Sequence, residues 1–219
     1  DFASLPAPPP EQPVFVPDLR EYDNAPLRAG KGSTYEGGIR VPMIARWPRH
    51  IPAGSVVETP VHAVDLLPTC FDVAHATAPE DHQLDGRSLL ELMISGSDPT
   101  LAERPIFQFY PFYELRWGLT PNASIRVGDY KLIEFFGDRV DAGNRYVVGP
   151  RVELYNLRDD IGEAHNLAEA DRDRTAAMQS RLHAWLNGQE VELPRANEHF
   201  DPLRAFEETR EKPDWLKAR

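Results

Sequence analysis

The sequence predicts an α/β protein that ends in a small antiparallel sheet packed with a helix. Three observations predict it. Strand patterns follow one another from Pro105 to Leu157 with short turns between them. Asp171 to Asn187 then forms the strongest amphipathic helix pattern in the chain. Ahead of both, the first part of the chain mixes one short apolar run with two helical patterns, as a strand-and-helix domain does. The composition shifts near Ser97-Asp98-Pro99, so we expect two parts, residues 1–98 and 99–219.

The elements are justified in order. Pro6 to Pro13 reads as a polyproline-type arm, and Val14-Phe15-Val16 as a short edge strand. Met43 to Trp47, bounded by Pro42 and Pro48, reads as a buried strand. A helix is expected from about Asp65, with Asp65 as N-cap and Pro68 in the first turn, where its missing N–H costs little. Leu67, Cys70, Phe71 and Ala74 recur at helical spacing and should form its buried face. A shorter helix over 87–95 has Leu89, Leu90, Met93 and Ile94 as its apolar side and Gly96 as its stop. Pro105–Tyr110, Ser124–Val127, Tyr130–Phe136 and Val152–Leu157 are strands, the middle two joined by a Gly128-Asp129 turn. On the final helix, Thr175, Met178, Leu182, Trp185 and Leu186 make the stripe that should cover one face of the sheet, and Gly188 ends it. The tail, 190–219, alternates proline, charge and isolated aromatics and is expected to wrap the surface or be partly disordered.

Composition excludes some functions. The 219 residues are 27% charged with a formal net charge of -11, which argues against nucleic acid as a partner, because phosphate neutralisation needs clustered Lys and Arg. No apolar run approaches the ~18 residues of a membrane span, and no signal-peptide pattern opens the chain. The single cysteine allows no intrachain disulfide. Proline, at 21 residues, is roughly twice the average usage of about 5% and marks a loop-rich chain. The opening Asp1-Phe2-Ala3, without Met, leads us to expect a fragment or processed product.

The chemistry concentrates in Gly30-Lys31-Gly32-Ser33-Thr34-Tyr35-Glu36-Gly37-Gly38-Ile39-Arg40-Val41-Pro42. It reads as a glycine-rich backbone that presents one cation, anchored by the apolar run after it, and able to hold an anionic group close to the main chain. A nucleotide P-loop fails on spacing: Ala25 stands where the first glycine is required, and Gly32 follows the lysine. The whole run from Asn24 to Pro42 closely resembles a signature of the sulfatase family, within the alkaline phosphatase superfamily of hydrolases. Val64–Thr69, Ile125–Ile133 and Glu153–Leu157, with Asp159, Glu163 and Asn166-Leu167-Ala168, resemble later family segments in the right order, so the likeness covers roughly residues 22–190.

The resemblance implies the C-terminal part of a sulfatase-like fold: the remnant of the large α/β domain with a Pro-rich arm (1–98), then the small sheet-and-helix subdomain with an extended tail (99–219). It implies sulfate ester hydrolysis, in which a formylglycine hydrate attacks sulfur while a divalent cation, usually calcium, and cationic side chains hold the sulfate. Lys31 matches the family's sulfate-contacting lysine, and we assign it as the catalytic and substrate-binding residue here. Negative charge on the sulfuryl oxygens must meet fixed positive groups, and lysine offers a compact charge with three donors.

Other parts of the family pattern are absent from the sequence. The nucleophile motif, Cys-x-Pro-x-Arg or its serine form, does not occur: Asp72 and Ala74 follow Cys70, which we read as a buried core thiol. Asp23-Asn24 mimics the family's metal-binding pair, but it lies too close to Lys31 and Ala25 replaces the glycine, so no metal ligand is assigned. Calcium and formylglycine are expected in a missing N-terminal part. Gln108–Tyr113 carries phenylalanines where many relatives carry histidines, which weakens a substrate role for this loop or indicates a more apolar pocket. The histidines, among them His62, His75 and His82, read as solvated or structural. Arg40 has two readings, an ion pair with Glu36 or support of the loop. Asp159, Asp160 and Glu163 read as solvated turn residues, and Asn122-Ala123-Ser124 as a chance sequon.

The expected partners are the missing N-terminal half and a small sulfated substrate, with self-association if an apolar surface is uncovered. A periplasmic or secreted location follows from the resemblance alone. Two other readings stand beside it: a non-catalytic sulfatase-like remnant or interaction module, and a relative acting on phosphate or phosphonate esters.

Overall fold

A computed structural model describes residues 24–113, 120–140, 146–189, 191–195 and 199. The proline-rich arm, the expected strand at Val14–Val16 and most of the tail lie outside the described residues. The chain divides into two compact units. One draws on 1–40, 107–125 and 129–219, the other on 41–106 with 126–128.

The first unit is built on a four-stranded sheet in the order β1-β2-β3-β6. Its strands are β1 (Ile106–Tyr110), β2 (Asn122–Val127), β3 (Tyr130–Phe135) and β6 (Arg151–Asn156). Gly128, at φ 55, makes the tight turn between β2 and β3, a conformation that favours glycine. β3 and β6 pair antiparallel, with Lys131 opposite Tyr155 and Ile133 opposite Glu153. A two-stranded ribbon of β4 (Asp138–Val140) and β5 (Tyr146–Val148) lies between β3 and β6 in sequence and was not expected from it.

Strand alternation gives this sheet two different faces. Glu134 points toward α5 (Arg172–Gly188) and accepts from Gln179 at 2.8 Å and pairs with His183 at 2.6 Å. α5 buries Met178, Leu182 and Leu186 from the expected stripe, and Trp185 stacks flat on Phe107 at 4.7 Å. Asp171 caps α5 by accepting from Arg174 N. Gly188 is its last residue rather than its stop, with Gln189 as the C-cap. Lys131, Ile133 and Phe135 point to the other face with Glu153 and Tyr155. There Ile133, Phe135, Tyr155 and Leu157 form a core with Tyr35, against which Ala29 and Ile161 pack. The sheet is therefore covered on both faces, not on one, and the glycine-rich loop is the second cover.

The second unit holds a 3-10 turn (Ala63–Asp65), α2 (Leu66–Val73), α3 (Leu90–Ser95) and α4 (Pro99–Ala102). Leu89, Leu92 and Leu101 are its core, with Val61 and Met93 packed against them. Gly96, at φ 83, ends α3 as expected. Asp98 caps α4 by accepting from Thr100 N and Leu101 N, in the stretch where the composition shifts.

Three expectations in this unit need correction. Met43–Trp47 forms no strand: the run is irregular, and Ile44 is 93% exposed. No described strand lies beside it to satisfy its backbone groups, so apolar composition alone does not make it sheet. The expected face of α2 is also uncovered. Leu67 and Ala74 are exposed, and so is Cys70, which is no core thiol. Asp65 does not cap α2 with its side chain. It is fully buried instead and binds four groups: His62 N at 2.7 Å, Arg87 N at 3.0 Å, and both terminal nitrogens of Arg104 at 2.5 and 2.6 Å. The helical side that is held is the polar one, where Thr69 Oγ1 donates to Asp65 O and accepts from Leu89 N.

Burial alone would raise the Asp65 carboxyl pKa, but Arg104 and the two backbone N–H groups outweigh it and hold the carboxyl below its usual range. A carboxyl lowered in the fold stabilises above its unfolded pKa, about 3.9, and that contribution is lost as pH falls through the folded value. Asp65→Asn is expected to cost about 3–5 kcal/mol in chemical denaturation near neutral pH, because it leaves a buried guanidinium uncompensated. The cost should shrink in acid; an equal cost at pH 7 and in strong acid would contradict the assignment.

Candidate functional site

The loop from Asn24 to Arg40 is built to hold one shape. Leu27 N donates to Asn24 O, Ser33 N to Gly30 O, and Gly37 N to Arg28 O. Asn24 Nδ2 donates to Gly37 O at 3.0 Å, so this side chain closes the loop. Gly30 to Ser33 is one hydrogen-bonded turn with Gly32 at φ 86. That positive φ at the third position is what a type II turn requires.

Lys31 occupies the corner of this turn and is exposed. Among the described residues its ammonium has no hydrogen-bond or ion-pair partner. The turn runs into α1 (Glu36–Ile39), a single helical turn and not a strand. Gly37 and Gly38 are there for contact, not for φ. A Cβ on Gly37 would lie 2.4 Å from both Arg28 O and Ala29 O; one on Gly38 would lie 2.1 Å from Ser33 O and 2.6 Å from Gly30 O. The close approach that the glycines permit is thus to the loop's own carbonyls. α1 rests directly on the turn that carries Lys31.

Behind α1 lies a buried ion cluster. Lys131 Nζ bridges Glu36 Oε1 at 3.0 Å and Glu163 Oε1 at 2.9 Å, and all three side chains are almost completely buried. Glu163 Oε2 also accepts from Glu36 N at 2.6 Å, the first N–H of α1. Glu163 was expected to be a solvated turn residue; it is fully buried and sits at φ 50. Of the two readings for Arg40, the ion pair is present: Nη1 lies 3.6 Å from Glu36 Oε2. Burial pushes the Glu163 carboxyl above its ordinary pKa, even though Lys131 and the Glu36 N–H act to lower it. The triad thus brings two carboxyls onto one ammonium.

A second polar set anchors the start of the loop. Arg28 Nη1 donates to Glu163 O at 2.8 Å and to the Tyr155 hydroxyl at 3.0 Å, and its guanidinium stacks 3.8 Å over the Tyr35 ring. Burial opposes the Arg28 charge, but Tyr35, Tyr155 and Glu153 keep its pKa above the ordinary value. The hydroxyls of Tyr35 and Tyr155 both donate to Glu153 Oε2, at 2.7 and 2.8 Å. Burial and then Glu153 raise the pKa of each phenol, so both stay protonated as donors. Thr34 Oγ1 donates to Asn122 Oδ1 at 2.9 Å, and Asn122 Nδ2 to Thr120 O at 2.7 Å. Asn122 is fully buried on β2, so the sequon around it is closed to modification in the fold.

The sequence picked out Lys31 but not its supports. Lys131, Glu153, Tyr155 and Arg28 lie in segments that carry the family resemblance, yet only their long-range contacts tie them to the loop. Gln108–Tyr113 contributes β1 and then leaves Phe112 and Tyr113 exposed. Among the described residues, no three His, Cys, Asp or Glu side chains are arranged to hold a metal ion. The donors among the described residues do not fit a calcium site.

Comparison with known proteins gives the family. Residues 30–192 match the family described as N-sulphoglucosamine sulphohydrolase, C-terminal. A curated sulfatase of Formosa agariphila is 32% identical over 176 residues, covering 75% of this chain and 30% of that protein. Human steryl-sulfatase is 46% identical over 104 residues, covering 47% of this chain and 18% of that protein. The crystal structure of Ps i-CgsB superposes with a TM-score of 0.60 at 31% identity, covering 74% of this chain and 32% of that one. This mixed helical and antiparallel-sheet architecture is that of a sulfatase C-terminal portion. The chain belongs to the sulfatase family. It spans less than a third of the length of the relatives named here.

Gly38→Ala is expected to destabilise the first unit by roughly 1–3 kcal/mol or more, since the new methyl meets two fixed carbonyls. Thermal melting of the purified variant checks it, and an unchanged melting point would show that the loop is looser than these contacts require.

Proposed function

We propose that this chain is the C-terminal portion of an enzyme that hydrolyses sulfate esters, and that Lys31 binds the sulfate group of the substrate. The observation that carries this reading is the contrast between Lys31 and its surroundings. The polar groups that fix the loop are bonded to one another, while the Lys31 ammonium stands exposed on a turn held by a buried scaffold. An ammonium carried on a fixed backbone turn can meet charge on the sulfuryl oxygens as the ester bond breaks. Family membership supports sulfate as the anion.

The nucleophile and the metal site belong to a part of the protein outside this chain, and the substrate is a small sulfated molecule. Val41, Met43, Ile44, Val56, Leu66 and Leu67, all exposed in the second unit, form the apolar surface on which that part docks. Calcium and a formylglycine, when present, supply the nucleophile and charge neutralisation from there; Lys31 supplies binding and orientation.

In the complete enzyme, Lys31→Ala should lower kcat/KM for a sulfate ester by about 100- to 1,000-fold, with little change in melting temperature. A wild-type rate would sink the role of Lys31. The isolated chain should show no turnover, and measurable hydrolysis by it would refute the division of labour. Light scattering on the isolated chain should show self-association through the uncovered apolar positions; a clean monomer across a wide concentration range would count against a docking surface there.

A further inference from the structure

We infer that Lys131 and Glu163 are positioning residues for Lys31, acting through Glu36 and α1. The inference rests on the reading that Lys31 meets the sulfate group, and it adds how that lysine is held in place.

The path is continuous. Lys131, on β3, is 95 residues from Glu36 in sequence, and Glu163 is 127 residues from it. Glu163 grips residue 36 in two ways: one carboxylate oxygen takes its backbone N–H, and the other shares Lys131 with its side chain. α1 is thereby fixed at its first residue in both backbone and side chain. Two residues on, Gly38 lies so close to Gly30 O and Ser33 O that not even a methyl fits between. Those two carbonyls are the ends of the turn whose corner is Lys31. A displacement of α1 is therefore passed directly to Lys31.

Stability alone does not account for the triad. Three well-packed apolar side chains in its place would hold sheet and loop together at least as firmly, because desolvating buried charges offsets most of their attraction. What an ion triad adds is direction: two charge-assisted contacts, Lys131 to Glu36 Oε1 at 3.0 Å and the Glu36 N–H to Glu163 at 2.6 Å, fix α1 in angle as well as in depth. A misplacement of about 1 Å at a reacting group can cost on the order of 100-fold in rate.

The test is a double-substitution cycle in the complete enzyme, read on para-nitrophenyl sulfate. Lys131→Met should lower kcat/KM by roughly 10- to 100-fold. In the Lys31→Ala background the same change should have an effect of less than about 2-fold, because its loss passes through Lys31. An equal loss in both backgrounds overturns the inference and leaves the role of Lys31 standing. An inert Lys31→Ala removes that role first, and the inference with it. Should Lys131→Met fail to fold, Glu163→Gln, which keeps size and shape, carries the same cycle. Amide exchange gives a readout that needs no substrate: in Glu163→Gln, residues 28–38 should exchange about 10-fold faster while α5 keeps its protection. Unchanged exchange over 28–38 in the folded variant overturns the inference.

Discussion

The first unit depends on how one buried ammonium is neutralised. Lys131 stands on a strand face that otherwise carries Ile133 and Phe135, and it cannot be buried there alone. Glu36 and Glu163 meet it from opposite directions in sequence, one from the glycine loop and one from the turn after β6. Each is itself buried and depends on the same contact. The three segments therefore meet in one buried cluster and help to order one another. A loop of such glycine content is thus pinned by charge as well as by the packing of Tyr35.

The glycines follow from that constraint. Once α1 is drawn down onto the sheet by Glu36, it also presses on the turn before it. Gly37 and Gly38 remove the side chains that would collide with Arg28 O, Ala29 O, Gly30 O and Ser33 O. Gly32 has a separate reason, its positive φ at the corner of the turn. The same run of glycines thus does two physically different things, and neither makes the loop flexible. Arg28, stacked on Tyr35 and bonded to Tyr155 and to the Glu163 carbonyl, closes the other end.

The second unit is organised by a carboxylate. Asp65 gathers two backbone N–H groups and Arg104, and Thr69 passes the chain on to Leu89. Its apolar core is small, three leucines with Val61 and Met93, while many of its larger apolar residues face outward. The unit is thus a polar hub with an uncovered apolar exterior, and the matched stretch covers less than a third of the relatives compared with it.

Periodicity and turn chemistry were sufficient for β1, β2, β3, β6 and α5, because alternation, the Gly128 turn and the spacing of Met178, Leu182 and Leu186 are local properties. The motif around Lys31 was legible for the same reason, since its residues are consecutive. Where the outcome depended on what lies across from a segment, sequence reasoning failed. Met43–Trp47 has strand composition but no described strand beside it; Cys70 and Leu67 have helical spacing but nothing packed over them; Glu163 has the neighbours of a surface turn but is fully buried. By itself the sequence determined most of the elements, the family and the exposed Lys31 of the loop. Only the tertiary structure decided which charges are buried together, because Glu36, Lys131 and Glu163 become neighbours through strand register and loop closure, and no local pattern encodes a contact across 95 or 127 residues.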